Sequence, residues 1–141
     1  MAKALKTPLK INAERLYGSL TALGKVGAYK DEATGLIGVN RLALTAADGE
    51  GRRLVTKWLR EAGLQVAVDQ IGNVCGRRQG REDDLAPLIL GSHIDSVPTA
   101  GAFDGCLGVL GALEVIRALD DLRFVTRRPL IVAFFTDEEG C

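Results

Sequence analysis

The side chains of this chain that could do chemistry lie in two short stretches. The first is GSHIDSVPTAGAFDG, residues 91–105. It holds His93, the only histidine among 141 residues, together with Asp95 and Asp104. The second is TDEEG, residues 136–140, with the adjacent pair Glu138 and Glu139. One imidazole and three carboxylates (Asp104, Glu138, Glu139) brought to one place repel one another unless a cation neutralises them. Such a nitrogen and oxygen donor set suits zinc, manganese, nickel or cobalt better than magnesium or calcium. His93 would then be a metal ligand, and Asp95 would accept the other ring N–H of His93 and fix its tautomer. One aspartate could bridge two divalent ions roughly 3.5–4 Å apart that activate a shared water. Of two adjacent glutamates only one readily ligates, which leaves its neighbour as a general base.

Taken singly, each residue has a plainer reading. Asp104 stands where a carboxylate would cap a helix. Glu138 and Glu139 could be a solvated strand end, and His93 a hydrogen-bonded core histidine. Their convergence is what favours a site, and convergence depends on the elements around them.

Leu88–Leu90 follows Pro87, and Leu130–Phe135 follows Pro129. Both are short, unbroken apolar runs of the kind expected in strands buried on both faces. Between them the pattern predicts a helix from about Gly105 to Leu119. Gly105, Gly108 and Gly111 recur on it, tolerable where a face packs very close to a sheet. Strand, helix, strand in this order is a βαβ unit with parallel strands. Ligands of open α/β sheets bind at the C-terminal edge of such strands. His93 and the two glutamates all lie just past those ends.

Upstream, Asn12 can cap a helix carrying Leu16, Leu20 and Leu23, ended by Gly24 and Gly27. Residues 28–44 read as a loop with a short ordered piece. A second helix is capped by Thr45 or Asp48, presents Leu54, Val55, Trp58, Leu59 and Ala62, and stops at Gly63. Residues 64–78 read as a hairpin turning at Gln70–Asn73, and 79–86 as a charged surface loop. The fold class is α/β, a mixed sheet with a parallel βαβ core flanked by helices, in one domain.

Eighteen basic side chains balance eighteen acidic ones, which argues against nucleic acid or an anionic membrane as partner. Hydrophobic residues make up 47% of the chain, enough for a core. The N-terminus has lysines but no apolar segment of the secretory kind, and no apolar run could span a bilayer. A soluble, cytoplasmic protein is expected. Cys75, Cys106 and Cys141 fit no zinc-finger spacing and are expected to be reduced thiols.

At GSHIDSVPTAGAFDGCLGVLGALEVIRAL (91–119) and RPLIVAFFTDEEG (128–140) the sequence resembles the metal-dependent amidohydrolases of the M20 peptidase group. It is most similar to the branch of N-carbamoyl-L-amino-acid hydrolases, β-ureidopropionases and allantoate amidohydrolases. Weaker matches run through GVNRLALTAADGEGRR (38–53) and WLREAGLQVAVDQIGNVCGRR (58–78). The short gap from His93 to Asp104 favours this branch over the M20 aminopeptidases and dipeptidases. The resemblance implies a zinc-peptidase-like catalytic domain with two divalent metal ions. It makes His93 the ligand of one metal, Asp104 the bridge, Glu139 a ligand of the second, Glu138 the general base and Asp95 the supporting aspartate. The implied reaction is hydrolysis of a C–N bond in a small ureido substrate. The resemblance further implies that residues 1–141 are the N-terminal portion of the catalytic domain of a homodimeric enzyme, inactive alone. On that reading, a dimerisation domain and further histidine ligands lie downstream. Ala100 departs from the pattern, standing where a glycine is common. The alternatives are an M20-type metallopeptidase and, for the chain by itself, a non-catalytic α/β module.

Overall fold

In the computed structural model, which describes residues 8–140, three helices and six strands alternate along the chain. They are α1 (Ala13–Gly24), β1 (Ala28–Lys30), β2 (Ile37–Val39), α2 (Ala46–Glu61), β3 (Gln65–Val68), β4 (Val74–Arg78), β5 (Leu88–His93), α3 (Cys106–Asp121) and β6 (Leu130–Phe135). The caps follow local chemistry. The Asn12 side chain accepts from the Arg15 amide at the start of α1, and the Thr45 hydroxyl accepts from the Asp48 amide at the start of α2. Thr45 is thus the cap of α2, while Asp48 is buried in its first turn. Gly63, at φ +74°, turns the chain out of that helix in a conformation that favours glycine.

Four strands form the main sheet in the order β3-β4-β6-β5. β3 and β4 make the expected antiparallel hairpin, β4 pairs antiparallel with β6, and β6 pairs parallel with β5. The register sets Leu88 opposite Leu130 and His93 opposite Phe135, so both parallel strands deliver their last residues at the same level. The connection between them is α3, which completes the βαβ unit.

One core cluster draws Leu20 and Leu23 from α1, Val55 and Leu59 from α2, and Val109, Leu110, Leu113 and Ile116 from α3. From β6 it takes Leu130, Val132 and Phe134, alternate residues and hence one face of the sheet. Full burial of each such side chain contributes about 1.5–3 kcal/mol.

The ordered piece expected within residues 28–44 is a pair of strands: β1 and β2 pair antiparallel as a separate two-stranded sheet. Two expectations need correction. β5 is not buried on both faces. It is an edge strand with one neighbour, the helices cover one face, and Leu88 and Ile89 are 51% and 57% exposed. Of the three glycines at the start of α3, Gly111 does not support close helix–sheet approach: a Cβ there would meet nothing within 4 Å, whereas one at Gly108 would sit 2.8 Å from the Ser92 Cβ and one at Gly105 would sit 2.5 Å from the His93 ring. Cys75 and Cys106 are free thiols, as expected, and Cys141 lies outside the described residues.

Candidate metal centre

His93 is the last residue of β5 and is 5% exposed. Its ring Nδ1 lies 3.1 Å from the backbone carbonyl oxygen of Asp95 and 3.7 Å from that residue's Oδ1. A carbonyl only accepts, so Nδ1 carries the proton in this hydrogen bond and Nε2 presents its lone pair. Nε2 points out of the sheet edge toward two exposed carboxylates. Asp104 Oδ1 is 3.8 Å away and Glu138 Oε2 is 3.5 Å away. An unprotonated Nε2 facing these carboxylates leaves acceptors with no donor between them, which a second ring proton or a bound cation would satisfy.

His93, Asp104 and Glu139 each offer a ligand atom, and these three atoms lie within 4.8 Å of one another. That spacing and donor set fit a divalent ion. The fit is reinforced by Asp104, which is not the helix cap its position suggests. Gly105 occupies the N-cap of α3, without any side-chain capping bond, and the Asp104 carboxylate is left facing His93.

Asp95 ties the two halves of the centre together. Its carboxylate is buried. Oδ2 accepts the backbone N–H of Glu139 at 3.2 Å, while Oδ1 lies toward the His93 ring without a hydrogen-bond partner among the described residues. The acceptor within hydrogen-bond distance of the imidazole Nδ1 is the Asp95 carbonyl rather than its carboxylate. The carboxylate instead anchors the loop that carries the glutamates.

That loop begins with Asp137 at φ +57°, a left-handed conformation that a short polar side chain tolerates better than most. The turn sends Glu138 toward His93 Nε2 and leaves the Glu139 amide on Asp95. Gly105 adopts φ +61° on the other side of the ring, and a Cβ there would lie 2.5 Å from three ring atoms of His93.

Sequence reasoning missed one supporting residue here, Asn73. Asp69 Oδ1 accepts the amides of Ile71, Gly72 and Asn73, while Asp69 Oδ2 accepts from the Asn73 side-chain amide. The Asn73 side-chain hydrogen bond, helped by those amides, holds the Asp69 carboxyl below its ordinary range. Asn73 Oδ1 is left to accept the Thr136 N–H at 2.9 Å, just before the glutamate loop. The signal was the polar spacing within Asp69–Asn73, legible as a turn but not as a support.

The model of Peptidase family M28 matches residues 73–141, the span that carries all five of these residues. An N-carbamoyl-L-amino-acid amidohydrolase of Rhizobium meliloti is 46% identical over 132 residues, covering 93% of this chain and 30% of that protein. The chain is similar to such amidohydrolases over nearly its whole length. A crystal structure of an amidase of the hydantoinase/carbamoylase family from Burkholderia vietnamiensis superposes with a TM-score of 0.89 at 48% identity, over 96% of this chain and 32% of that one. Allantoate deiminase 1 of Glycine max is 39% identical over 123 residues, 86% of this chain and 24% of its own length. The chain thus spans about a third or less of the family members it matches. The family model carries the number M28 where the motifs resemble the M20 group, and the relatives fall in the carbamoyl and allantoate branch those motifs point to. Among the described residues no helix is long and apolar enough to cross a membrane.

Proposed function

We propose that this chain is the N-terminal, metal-holding portion of the catalytic domain of a hydrolase that cleaves a C–N bond in ureido substrates. N-carbamoyl-L-amino acids, β-ureidopropionate and allantoate make up the substrate class. The observation that carries the reading is the meeting of His93, Asp104 and Glu139 within 4.8 Å, with Glu138 beside them. The names of the relatives support the substrate class, since they act on carbamoyl amino acids and allantoate.

His93 Nε2, one Asp104 oxygen and one Glu139 oxygen would hold a divalent ion, zinc, manganese, nickel or cobalt. Asp104 would also help to hold a second ion. Bound there, such ions supply Lewis acidity toward the ureido carbonyl and an attacking water. Glu138 is exposed at the mouth of the site and does not share the Asp95 anchor. It is the general base: its carboxylate takes a proton from the attacking water and delivers it to the leaving nitrogen. Water adds to the carbonyl carbon, the C–N bond breaks, and the carbamate so formed falls apart into carbon dioxide and ammonia. Asp95 ties the segment after His93 to the glutamate loop through the Glu139 amide, and Asn73 ties the β3–β4 turn to the same loop through the Thr136 amide.

Residues beyond this chain complete the domain, and a homodimeric, cytoplasmic enzyme belongs to the same reading. The exposed apolar edge of β5, where Leu88 and Ile89 face solvent, supports further structure packing there. The test is ammonia release from N-carbamoyl amino acids and allantoate by the metal-loaded full-length polypeptide, with a dipeptide assayed alongside. Glu138→Gln should retain metal and lose about 10²–10⁴-fold in turnover. Full activity of that variant would sink the mechanism, and preference for the dipeptide would sink the substrate class.

A further inference from the structure

We infer that Arg41 is a positioning residue for the metal centre, holding the exit of β5 and the start of α3 in one frame. The inference rests on the metal reading above and concerns a side chain that touches none of the ligand atoms.

Arg41 lies just past β2 and is 1% exposed, among the largest fully buried side chains of the described residues. A guanidinium in the interior is costly unless its donors are filled. Here four of the five N–H donors meet neutral acceptors, from three directions. Nε donates to the Ile94 carbonyl at 2.7 Å. Nη1 donates to the Val26 and Leu23 carbonyls at 2.7 and 3.1 Å, at the C-terminal end of α1, where helix dipole and cation attract. Nη2 donates to the Cys106 sulfur at 3.1 Å. The backbone adds two bonds: the Arg41 amide donates to the Ser96 hydroxyl at 2.8 Å, and the Ser96 amide donates to the Arg41 carbonyl at 3.0 Å.

The placement of these partners matters more than their number. Ile94 directly follows His93, and Ile94 and Ser96 flank Asp95. Cys106 opens α3, two residues after Asp104. One residue therefore grips both sides of Asp95, the aspartate that orients His93 and anchors the Glu139 amide, and also touches the helix that follows Asp104. α2 makes room for it: a Cβ at Gly51 would lie 2.9 Å from the Arg41 Cδ. Lysine cannot substitute. Its donors radiate from one nitrogen and cannot reach carbonyls and a sulfur on three separate elements.

The test uses cobalt(II) as probe on the full-length polypeptide, read by its visible absorption bands and by chelator competition for affinity. Arg41→Lys is expected to bind cobalt about 10–100-fold more weakly than wild type and with altered bands. Ser96→Ala, which removes the hydroxyl that accepts the Arg41 amide and donates to the Val97 carbonyl, should shift affinity the same way by less. The control is Leu119→Ala, a core truncation thirteen residues beyond Cys106 at the far end of α3. It should lower the melting temperature and leave cobalt affinity and bands as in wild type. Wild-type cobalt binding by Arg41→Lys would overturn the inference, as would an equal loss of cobalt by Leu119→Ala at the same loss of melting temperature. Should Arg41→Lys fail to fold, unchanged cobalt affinity and bands in Ser96→Ala would overturn it. Failure of the wild type to take up cobalt would overturn the metal reading itself, and this inference with it.

Discussion

His93 is held between a carbonyl behind it and a glycine in front, and both contacts are restrictive. Gly105 sits at φ +61°, ψ −46°, a strained region outside the left-handed helical well, and its missing Cβ would otherwise lie 2.5 Å from the ring. Gly105→Ala would impose a backbone cost of roughly 1–3 kcal/mol and push the imidazole away from Asp104. The expected outcome is a lowered melting temperature and at least a tenfold weaker metal affinity, measured by thermal denaturation and chelator competition. Affinity equal to wild type would show that the ring does not depend on this contact. At this scale residue type was highly informative. A lone histidine, its aspartates and a glutamate pair pointed to a cation before any geometry was known. What could not be read was direction. Whether His93 Nδ1 meets the carboxylate or the carbonyl of Asp95 is decided by the path of the 94–97 segment, and that path is held by Arg41, a residue 52 positions before His93 in the chain. Arg41 stood in a stretch that reads as loop, where a buried guanidinium has no local signature.

Among the elements, β5, α3 and β6 were legible because prolines open both strands, apolar runs fill them, and a strand, helix, strand order admits essentially one handedness. β1 and β2 were not, since each is three residues long and Gly38 interrupts any alternation. The burial of β5 was misjudged because an apolar run signals a strand without saying how many neighbours it has. Sheet order decides that, and it places β5 at the edge. Gly91 shows how tightly this strand is nonetheless held. A Cβ there would collide with the Ala133 carbonyl oxygen on β6, a backbone group that cannot step aside. Gly91→Ala is expected to destabilise the fold by at least the roughly 1–3 kcal/mol typical of overpacked sites, measured by urea unfolding. A change within 0.5 kcal/mol, about the scatter of neutral surface substitutions, would contradict the packing described.

Across the whole molecule, the first helix is tied to the site-bearing helix by charge. The Glu114 carboxylate of α3 is fully buried and accepts Arg15 Nε, Arg15 Nη2 and the Asn12 amide, each at 2.8 Å. Burial pushes its carboxyl upward, but the Arg15 and Asn12 hydrogen bonds and the nearby Arg15 and Arg117 charges outweigh it, so the net shift is below the ordinary 4.5. The sign follows. A carboxyl held lower in the folded state than in the unfolded chain contributes stability above about pH 4.5, and loses it as pH falls through the folded value. Glu114→Gln should therefore be less stable than wild type at neutral pH, with the gap closing in acid. Urea unfolding at several pH values checks this, and a gap that widens in acid would contradict it. Cys106 sits beside the same core, its thiol pushed up by burial with Arg41 pulling weakly the other way, which suits a packing and hydrogen-bonding role rather than a nucleophilic one. The molecule is thus a covered sheet face that positions one open sheet edge, and the central claim is that this edge holds metal. The most direct measurement is anomalous diffraction at the zinc edge from zinc-loaded crystals of the full-length polypeptide. The account predicts a peak bonded to His93 Nε2 and to carboxylate oxygens of Asp104 and Glu139, or two peaks sharing Asp104. Zinc bound elsewhere, with these side chains left unligated, would contradict it.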